Sequence, residues 1–338
     1  MQTVRKRILT GDRPSGRLHL GHLAGSLANR VRLQDEYECF FIVADLHTLT
    51  TRPEKADLRQ IEENVRQMVL DYLAVGIDPG RSSIFLQSAI RETFELNLYF
   101  QMLVSVPRLE RVPSLKEMAL AAHLQVMPFG LLGYPVLQAA DILLPRSHLV
   151  PVGKDNEAHI EVAREIARRF NHLYGETFPV PDLLLGEVPT LLGIDGQAKM
   201  SNSLDNAIYL SDPAEIVAAK VRRMYTDPRR VRADVPGRVE GNPVFQYHEA
   251  FNDDRAEVEA LKERYLQGTV GDVEVKARLI EALERMLQPI RQRRAELEGK
   301  AGLIERVLAA GTERARREAE ATMRIVRQAM GMYHLPVE

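Results

Sequence analysis

Two short segments of the 338-residue chain carry side chains suited to handling phosphate. The first, "PSGRLHLGH", spans Pro14 to His22 and follows the run "RILTG" after Asp12 and Arg13. Gly16 and Gly21 let backbone approach a ligand closely. His19 and His22, three residues apart, share a helix face and can both donate to an anion. A helix that starts beyond a strand end adds unpaired N–H groups. The segment is neither a P-loop nor a dinucleotide fingerprint. Read alone, it fits a phosphate site, or equally a capped turn with solvent-facing histidines. Zinc binding by the pair lacks a third ligand nearby in sequence. The second segment, "DGQAKMSNS", residues 195–203, sets Lys199, Ser201 and Ser203 behind a glycine-containing turn. A lysine among small hydroxyl residues suits charge developing on a leaving pyrophosphate. It is also an ordinary feature of a polar loop.

The surrounding pattern predicts an α/β half followed by an all-helical half. "VRKRILTG" reads as a strand ending at Gly11, and "HLAGSLANRVRLQDEY" has helical spacing. "CFFIVADLHTL" is a continuous apolar, β-branched and aromatic run, hence a buried strand. Residues 57–75 read as a helix stopped by Gly76, "SSIFLQSAI" as a strand, and residues 92–106 as a helix. "LLGYPVLQAADILL" reads as a helix entered at Pro135. "SHLVPVG" reads as a strand, and "KDNEAHIEVAREIARRFNHLYG" as an amphipathic helix closed by Gly175. Alternation of strands and helices predicts a parallel sheet covered on both faces. After about residue 185 loop residues dominate, and from Asp212 onward the chain is helical and charged.

Composition narrows the classes. Hydrophobic residues make up 45% and charged residues 27%, as expected of a globular protein with a substantial core. The net charge of −2 argues against a general polyanion binder, so any nucleic-acid contact needs a local basic patch. No run approaches the roughly 20 apolar residues that span a membrane, and the N-terminal segment lacks a signal-peptide core; the chain reads as cytoplasmic. The single cysteine, Cys39, reads as a buried small hydrophobe and leaves no cysteine-based zinc or iron–sulfur site.

Taken together, "HLGH" and "KMSNS" resemble the His-x-Gly-His and Lys-Met-Ser-Lys-Ser signatures of class I aminoacyl-tRNA synthetases. "PSGRLHLGHLAGSL", "YPVLQAADILL", "LVPVGKDNEAHIEVAREIARRFN" and "NPVFQYH" are similar to the tryptophanyl branch of that family, whose nearest relatives are the tyrosyl enzymes. The resemblance covers most of the chain. It implies a Rossmann-like catalytic domain at 1–203, a helical anticodon-binding domain at 204–296, and a last helix, about 297–338, packing back on the first domain. It implies activation of L-tryptophan by ATP, with magnesium, and transfer to the 3′ end of tRNA(Trp) by a homodimer. A tyrosine–tRNA ligase, or a synthetase-like tRNA-binding or nucleotide-binding protein with weak aminoacylation, is the alternative. Neither step needs a protein nucleophile, because positioning and electrostatics supply the catalysis.

By that resemblance Arg13, Pro14 and Ser15 line the nucleotide, and Gly21 and His22 close over it. Gly153, Lys154 and Asp155 form the adenosine-side turn, and Leu192 lies near the adenine. Lys199, Met200, Ser201, Asn202 and Ser203 form a mobile loop. Lys116, in "RVPSLKEM", is aimed at the phosphates, and with His19, His22, Lys199 and Ser201 it makes up the catalytic set. Asp141 is the acceptor for the indole N–H, a donor-only group, although an acid at that place also suits a salt bridge. Gln138, three residues earlier, and Tyr134 complete the tryptophan site. The first strand carries Leu9 and no tyrosine, which favours tryptophan over tyrosine. The basic clusters "KVRRMYTDPRRVR" and "RQRR" suit tRNA, or else are solvated helix faces.

Several positions depart from the family pattern. Asn202 replaces the second loop lysine, and His22 stands where the branch has asparagine. Asn156 stands where it has glutamine, and Gln138 where many bacterial enzymes have methionine. No cysteine lies near "GTVGDVEVK", where some relatives ligate a cluster.

Overall fold

The computed structural model describes residues 5–51, 53–152, 157–185, 191–227, 230, 232 and 234–333. Five parallel strands form one sheet: β1 (Arg7–Asp12), β2 (Glu38–Val43), β3 (Ser82–Leu86), β4 (Leu149–Val152) and β5 (Asp182–Leu185), in the order β3-β2-β1-β4-β5. Ile8 pairs with Cys39 on one side and Leu149 on the other. The side-chain period of two divides the apolar runs between two cores. Ile8, Cys39, Phe41, Val43 and Ile84 enter one, and Leu9, Phe40, Ile42 and Phe85 enter the other. Both faces are covered, which is why these strands read as unbroken apolar stretches rather than alternating ones. The order reverses between β1 and β4, so a ligand crevice opens beyond their carboxyl ends.

Helices follow each of the first four strands. After β1 come α1 (Leu20–His22), a π-helical turn (Leu23–Leu27) and α2 (Ala28–Leu33). After β2 come a 3₁₀ turn (Leu46–Thr50), α3 (Lys55–Leu58) and α4 (Ile61–Val75). The single helix expected over 57–75 is thus two, and Gly76 ends the second in a left-handed conformation at φ 111°. After β3 come a 3₁₀ turn (Gln87–Ala89), α5 (Glu92–Gln101), α6 (Val106–Glu110), α7 (Pro113–Ala121) and α8 (Phe129–Leu143). The helix expected to reach residue 106 stops at Gln101, and a new one starts with Pro107 in its first turn, where a missing N–H costs least. Pro135 does not begin α8 as expected. It lies inside the helix, whose Leu131, Val136 and Ala139 are buried, and that packing outweighs one lost hydrogen bond. The long amphipathic helix is α9 (Glu157–Tyr174). The edge strand β5 was not anticipated; four residues are too few to show a pattern.

From residue 214 the chain is helical: α10 (Ala214–Arg222), α11 (Pro243–Phe251), α12 (Arg255–Gln267), α13 (Asp272–Glu298) and α14 (Leu303–Met330). The apolar side chains of α10 to α13 run without a break into the core on the α4 face of the sheet. α13 packs on α10 and α11 and also on α4. α14 lies along β3, where a Cβ on Gly311 would stand 1.9 Å from the Ile84 carbonyl oxygen, so only glycine admits this approach. Arg7 on β1 reaches Glu318 at 2.8 Å, and Arg314 donates to the Pro79 and Ser82 carbonyls.

Candidate active site

β1 delivers the chain to Asp12. Its carboxylate takes Arg30 at 2.5 Å and the Tyr72 hydroxyl at 2.6 Å. Burial works against its charge, but Arg30 outweighs burial and holds the carboxyl well below the usual range. Arg13 and Ser15 are exposed and Pro14 is buried. His19 is the N-cap of α1 and His22 its last residue. The His19 backbone N–H donates to His22 Nδ1 at 3.2 Å, which leaves the His22 proton on Nε2. The two rings lie 3.9 Å apart. Burial first, then the neighbouring His22 and Lys199, pulls the His19 imidazole down to about 3, and burial lowers His22 as well. In the absence of ligand His19 is therefore a neutral donor at pH 7.

The second segment lies directly against the first. Lys199 bridges to Leu192, and Met200 is buried with its Sδ accepting from the Gly21 N–H at 3.3 Å. Leu20 N–H donates to the Ile208 carbonyl at 2.9 Å, and Leu210 N–H to that of Leu18 at 3.0 Å. Gly16, at φ 141°, is in the left-handed region, and a Cβ there would meet Asn202 Nδ2 at 2.9 Å. Ser201 N–H donates to Asn206 Oδ1 at 2.9 Å, and Asn206 also reaches Asp195 and the Lys199 carbonyl. Asn206, buried and shaping the loop from behind, was missed in the sequence; an asparagine in a polar stretch carries no signal of its burial. Leu192 is half-buried and its carbonyl accepts from the Tyr247 hydroxyl at 2.8 Å. Gly153, Lys154 and Asp155 lie outside the described residues, as does Asn156. Lys116 is exposed on α7, and among the described residues no hydrogen bond or ion pair joins it to the two segments. Ser203 lies in a 3₁₀ turn (Asn202–Leu204).

A second cluster forms around α8. Asp141 is buried, and its Oδ2 accepts from His47 Nε2 at 2.8 Å and Gln87 Nε2 at 2.7 Å. Its Oδ1 is buried with no partner among the described residues, as is Gln138 Oε1 on the same face. Burial pushes the Asp141 carboxyl up, opposed by its bond with His47. The Tyr134 ring stands edge-on to His47 at 4.9 Å and to His159 at 5.0 Å. His47 and Gln87 come from the turns after β2 and β3, at the carboxyl ends of the strands, where the crevice rule places ligands. Sequence reasoning missed both, because each is an ordinary polar residue closing an apolar strand. The arrangement is a buried polar cluster with two spare acceptors, which a donor ligand would satisfy.

The basic clusters divide between side chains held by the fold and side chains left exposed. Arg230 is buried, donating to the Val235 and Val270 carbonyls and pairing with Asp272 at 3.1 Å. Lys220 pairs with Asp212 at 2.6 Å, Arg291 with Glu284, and buried Arg294 with Asp71. Within "KVRRMYTDPRRVR" and "RQRR", Lys220, Arg230, Arg291 and Arg294 are thus held by acceptors of the fold. Arg222, Arg223, Arg232 and Arg293 are exposed. Among the described residues no cluster of three or more His, Cys, Asp or Glu side chains could hold a metal ion, and no helix is long and apolar enough to cross a membrane.

A five-stranded parallel sheet with a His-x-Gly-His turn after β1, keyed to a Lys-Met-Ser loop, defines a nucleotide-binding unit of the class I synthetase type. The chain belongs to that family: the one described as "tRNA synthetases class I (W and Y)" matches residues 1–288. The protein named Tryptophan--tRNA ligase in Treponema pallidum (strain Nichols) is 63% identical over 331 residues, covering 98% of each chain. That of Chlamydia caviae is 57% identical over 323 residues, covering 94% of each. Among solved structures, tryptophanyl-tRNA synthetase from Campylobacter jejuni complexed with ADP and tryptophan superposes with a TM-score of 0.82 at 32% identity. It is covered completely, against 96% of this chain. The resemblance carried by the two motifs is therefore met over nearly the whole length.

Proposed function

We infer that the chain activates L-tryptophan with ATP and transfers it to the 3′ end of tRNA(Trp). The full-length likeness to tryptophan–tRNA ligases supports this reading. The observation that carries it is the buried Asp141 with an unpartnered oxygen. An indole N–H has one hydrogen to give and takes none, so a fixed, buried acceptor selects it. Phenylalanine would leave the Asp141 Oδ1 buried without a partner, at considerable cost. Gln138 Oε1 receives the substrate's ammonium, and Tyr134 stacks beside the pocket.

In the first step a tryptophan carboxylate oxygen attacks the α-phosphorus of ATP, and pyrophosphate leaves. His19, His22, Lys199 and Ser201 hold the phosphates, the histidines as neutral N–H donors, and Lys116 reaches them on closure. Arg13, Pro14, Ser15 and Gly21 line the nucleotide, with Gly153, Lys154, Asp155 and Leu192 on its adenosine side. Met200, Asn202 and Ser203 complete the loop. Magnesium enters with the ATP phosphates as part of the substrate. In the second step a ribose hydroxyl of the tRNA end attacks the acyl carbonyl, and AMP leaves. The functional division falls at about residue 203: residues 1–203 with the last helix form the catalytic domain, and residues 204–296 bind the anticodon.

The acting form is a cytoplasmic homodimer. Phe94 and Leu98 on α5, and Met102 at its end, are exposed large apolar residues at helical spacing, and Val106 and Phe129 are exposed as well. A second copy covers this face through a two-fold contact. Amino-acid-dependent ATP–pyrophosphate exchange tested across twenty amino acids checks the central reading. Exchange with tryptophan alone is expected. Exchange with tyrosine, or none with any amino acid, overturns it.

A further inference from the structure

We propose that Asp71 and Arg294 are positioning residues for adenylate formation, a buried ion pair through which α13 holds the Leu18–His22 turn in register. The proposal rests on the reading of that turn as the ATP-side turn.

Asp71 lies on the buried face of α4 with 1% of its surface exposed. A carboxylate so placed needs partners for its charge. Its Oδ1 accepts from Arg294, which also donates to Gln67 one turn earlier on α4. Its Oδ2 accepts from the Leu18 backbone N–H at 3.4 Å. Leu18 immediately precedes His19. Besides this contact, the backbone bonds of Leu20 to Ile208 and Leu210 to Leu18 hold the turn. Arg294 is the last buried residue of the 27-residue helix α13. At 1.5 Å per residue that helix is a rod about 40 Å long. Its first half packs in the helical core through Val275, Leu279 and Leu283, and its second half meets α4.

A second arm reaches the same turn from the other side. Arg291, one turn before Arg294, donates to the Asp212 carbonyl at 3.4 Å. The Asp212 carboxylate takes Arg17 at 2.7 Å and Lys220 at 2.6 Å, together with the Tyr209 N–H at 3.0 Å. Tyr209 is bridged to His19. The turn is thus bracketed by two arginines of one helix. A buried ion pair is weak evidence for stability, since apolar residues of similar volume often serve as well. Here one oxygen of the pair is committed to the backbone N–H next to His19, and an apolar pair cannot reproduce that. Burial pushes the Asp71 carboxyl up to about 6, opposed by Arg294, so the arginine is what keeps the acceptor charged at neutral pH.

The test compares the wild type with Arg294→Lys, Arg294→Met and the double variant Asp71→Leu/Arg294→Met, which leaves no lone buried charge and so preserves the fold. Tryptophan-dependent ATP–pyrophosphate exchange gives kcat and the KM for tryptophan. Hydrogen–deuterium exchange reads a peptide covering residues 17–23. The double variant is expected to lose about tenfold or more in kcat, one decade being roughly 1.4 kcal/mol of barrier. Its tryptophan KM should stay within about twofold, because the Asp141 pocket is independent of this contact. The 17–23 peptide should exchange faster, and Arg294→Lys should recover part of both effects. A folded double variant with wild-type kcat, or with unchanged exchange in that peptide, overturns the proposal, as does a tryptophan KM that rises in step with the loss of kcat. If the wild type shows no pyrophosphate exchange, the functional reading fails instead. The peptide data then decide whether the pair holds the turn.

Discussion

Replacing Asp141 by asparagine keeps the number of heavy atoms in the side chain and tests the pocket directly. In the native site Oδ2 is occupied by His47 and Gln87, at 2.8 and 2.7 Å, and Oδ1 is spare. Asparagine has one oxygen. Two buried donors already claim it, so the amide NH₂ turns toward the spare position. The indole N–H then faces a donor. Losing a hydrogen bond to a charged acceptor costs about 1.5–3 kcal/mol, or roughly 10- to 150-fold in tryptophan affinity. ATP affinity should be unchanged. Alanine is the harsher variant, because it strands both donors, each at about 1–3 kcal/mol of stability. The chain has no tryptophan of its own, so bound substrate can be followed by indole fluorescence, excited beyond the tyrosine band, without a background of protein tryptophan. Titration of Asp141→Asn by that signal, with pyrophosphate exchange for KM, gives two independent numbers. A tryptophan Kd within twofold of the wild type would refute the acceptor role.

The other predictions concern the phosphate side. His22→Ala and Lys199→Ala should each lower kcat for pyrophosphate exchange more than they raise the ATP KM; an effect confined to KM would mean ground-state binding only. Asn202→Lys adds a cation beside Gly16 and should raise the rate of adenylate formation by about tenfold, charge-assisted bonds being roughly twice as strong as neutral ones; single-turnover kinetics showing a flat or lower rate would assign Asn202 to loop closure instead. Because His19 is held near 3 in the folded state and titrates near 6.5 when unfolded, its stabilisation is complete above pH 6.5 and is lost as the pH falls toward 3. The slope is at most about 1.4 kcal/mol per pH unit in that window. Urea unfolding of His19→Asn should therefore show a flatter decline of stability between pH 6.5 and 4.5, and an unchanged slope would contradict the burial assigned to His19.

The sequence by itself determined four of the five strands, the order of the α/β and helical halves, and the two segments proposed to handle phosphate. Strand and helix periods are local, and they state which face of each element is apolar. "CFFIVA" reads as a doubly covered strand because nothing polar interrupts it. The same local logic misplaced the start of α8, since proline is a strong signal for a first turn and burial of Leu131 and Val136 overrode it. What only the tertiary structure decided is which polar residues meet. Asp71 and Arg294 are 223 positions apart, and His47 and Asp141 are 94 apart. Nothing in an arginine's identity separates a solvated one, such as Arg293, from one aimed at a buried carboxylate, such as Arg294. Periodicity marks the faces that must leave water, while the partner that satisfies a buried charge is chosen by the docking of whole elements. That docking depends on shape and on chain-distant contacts that no short window contains.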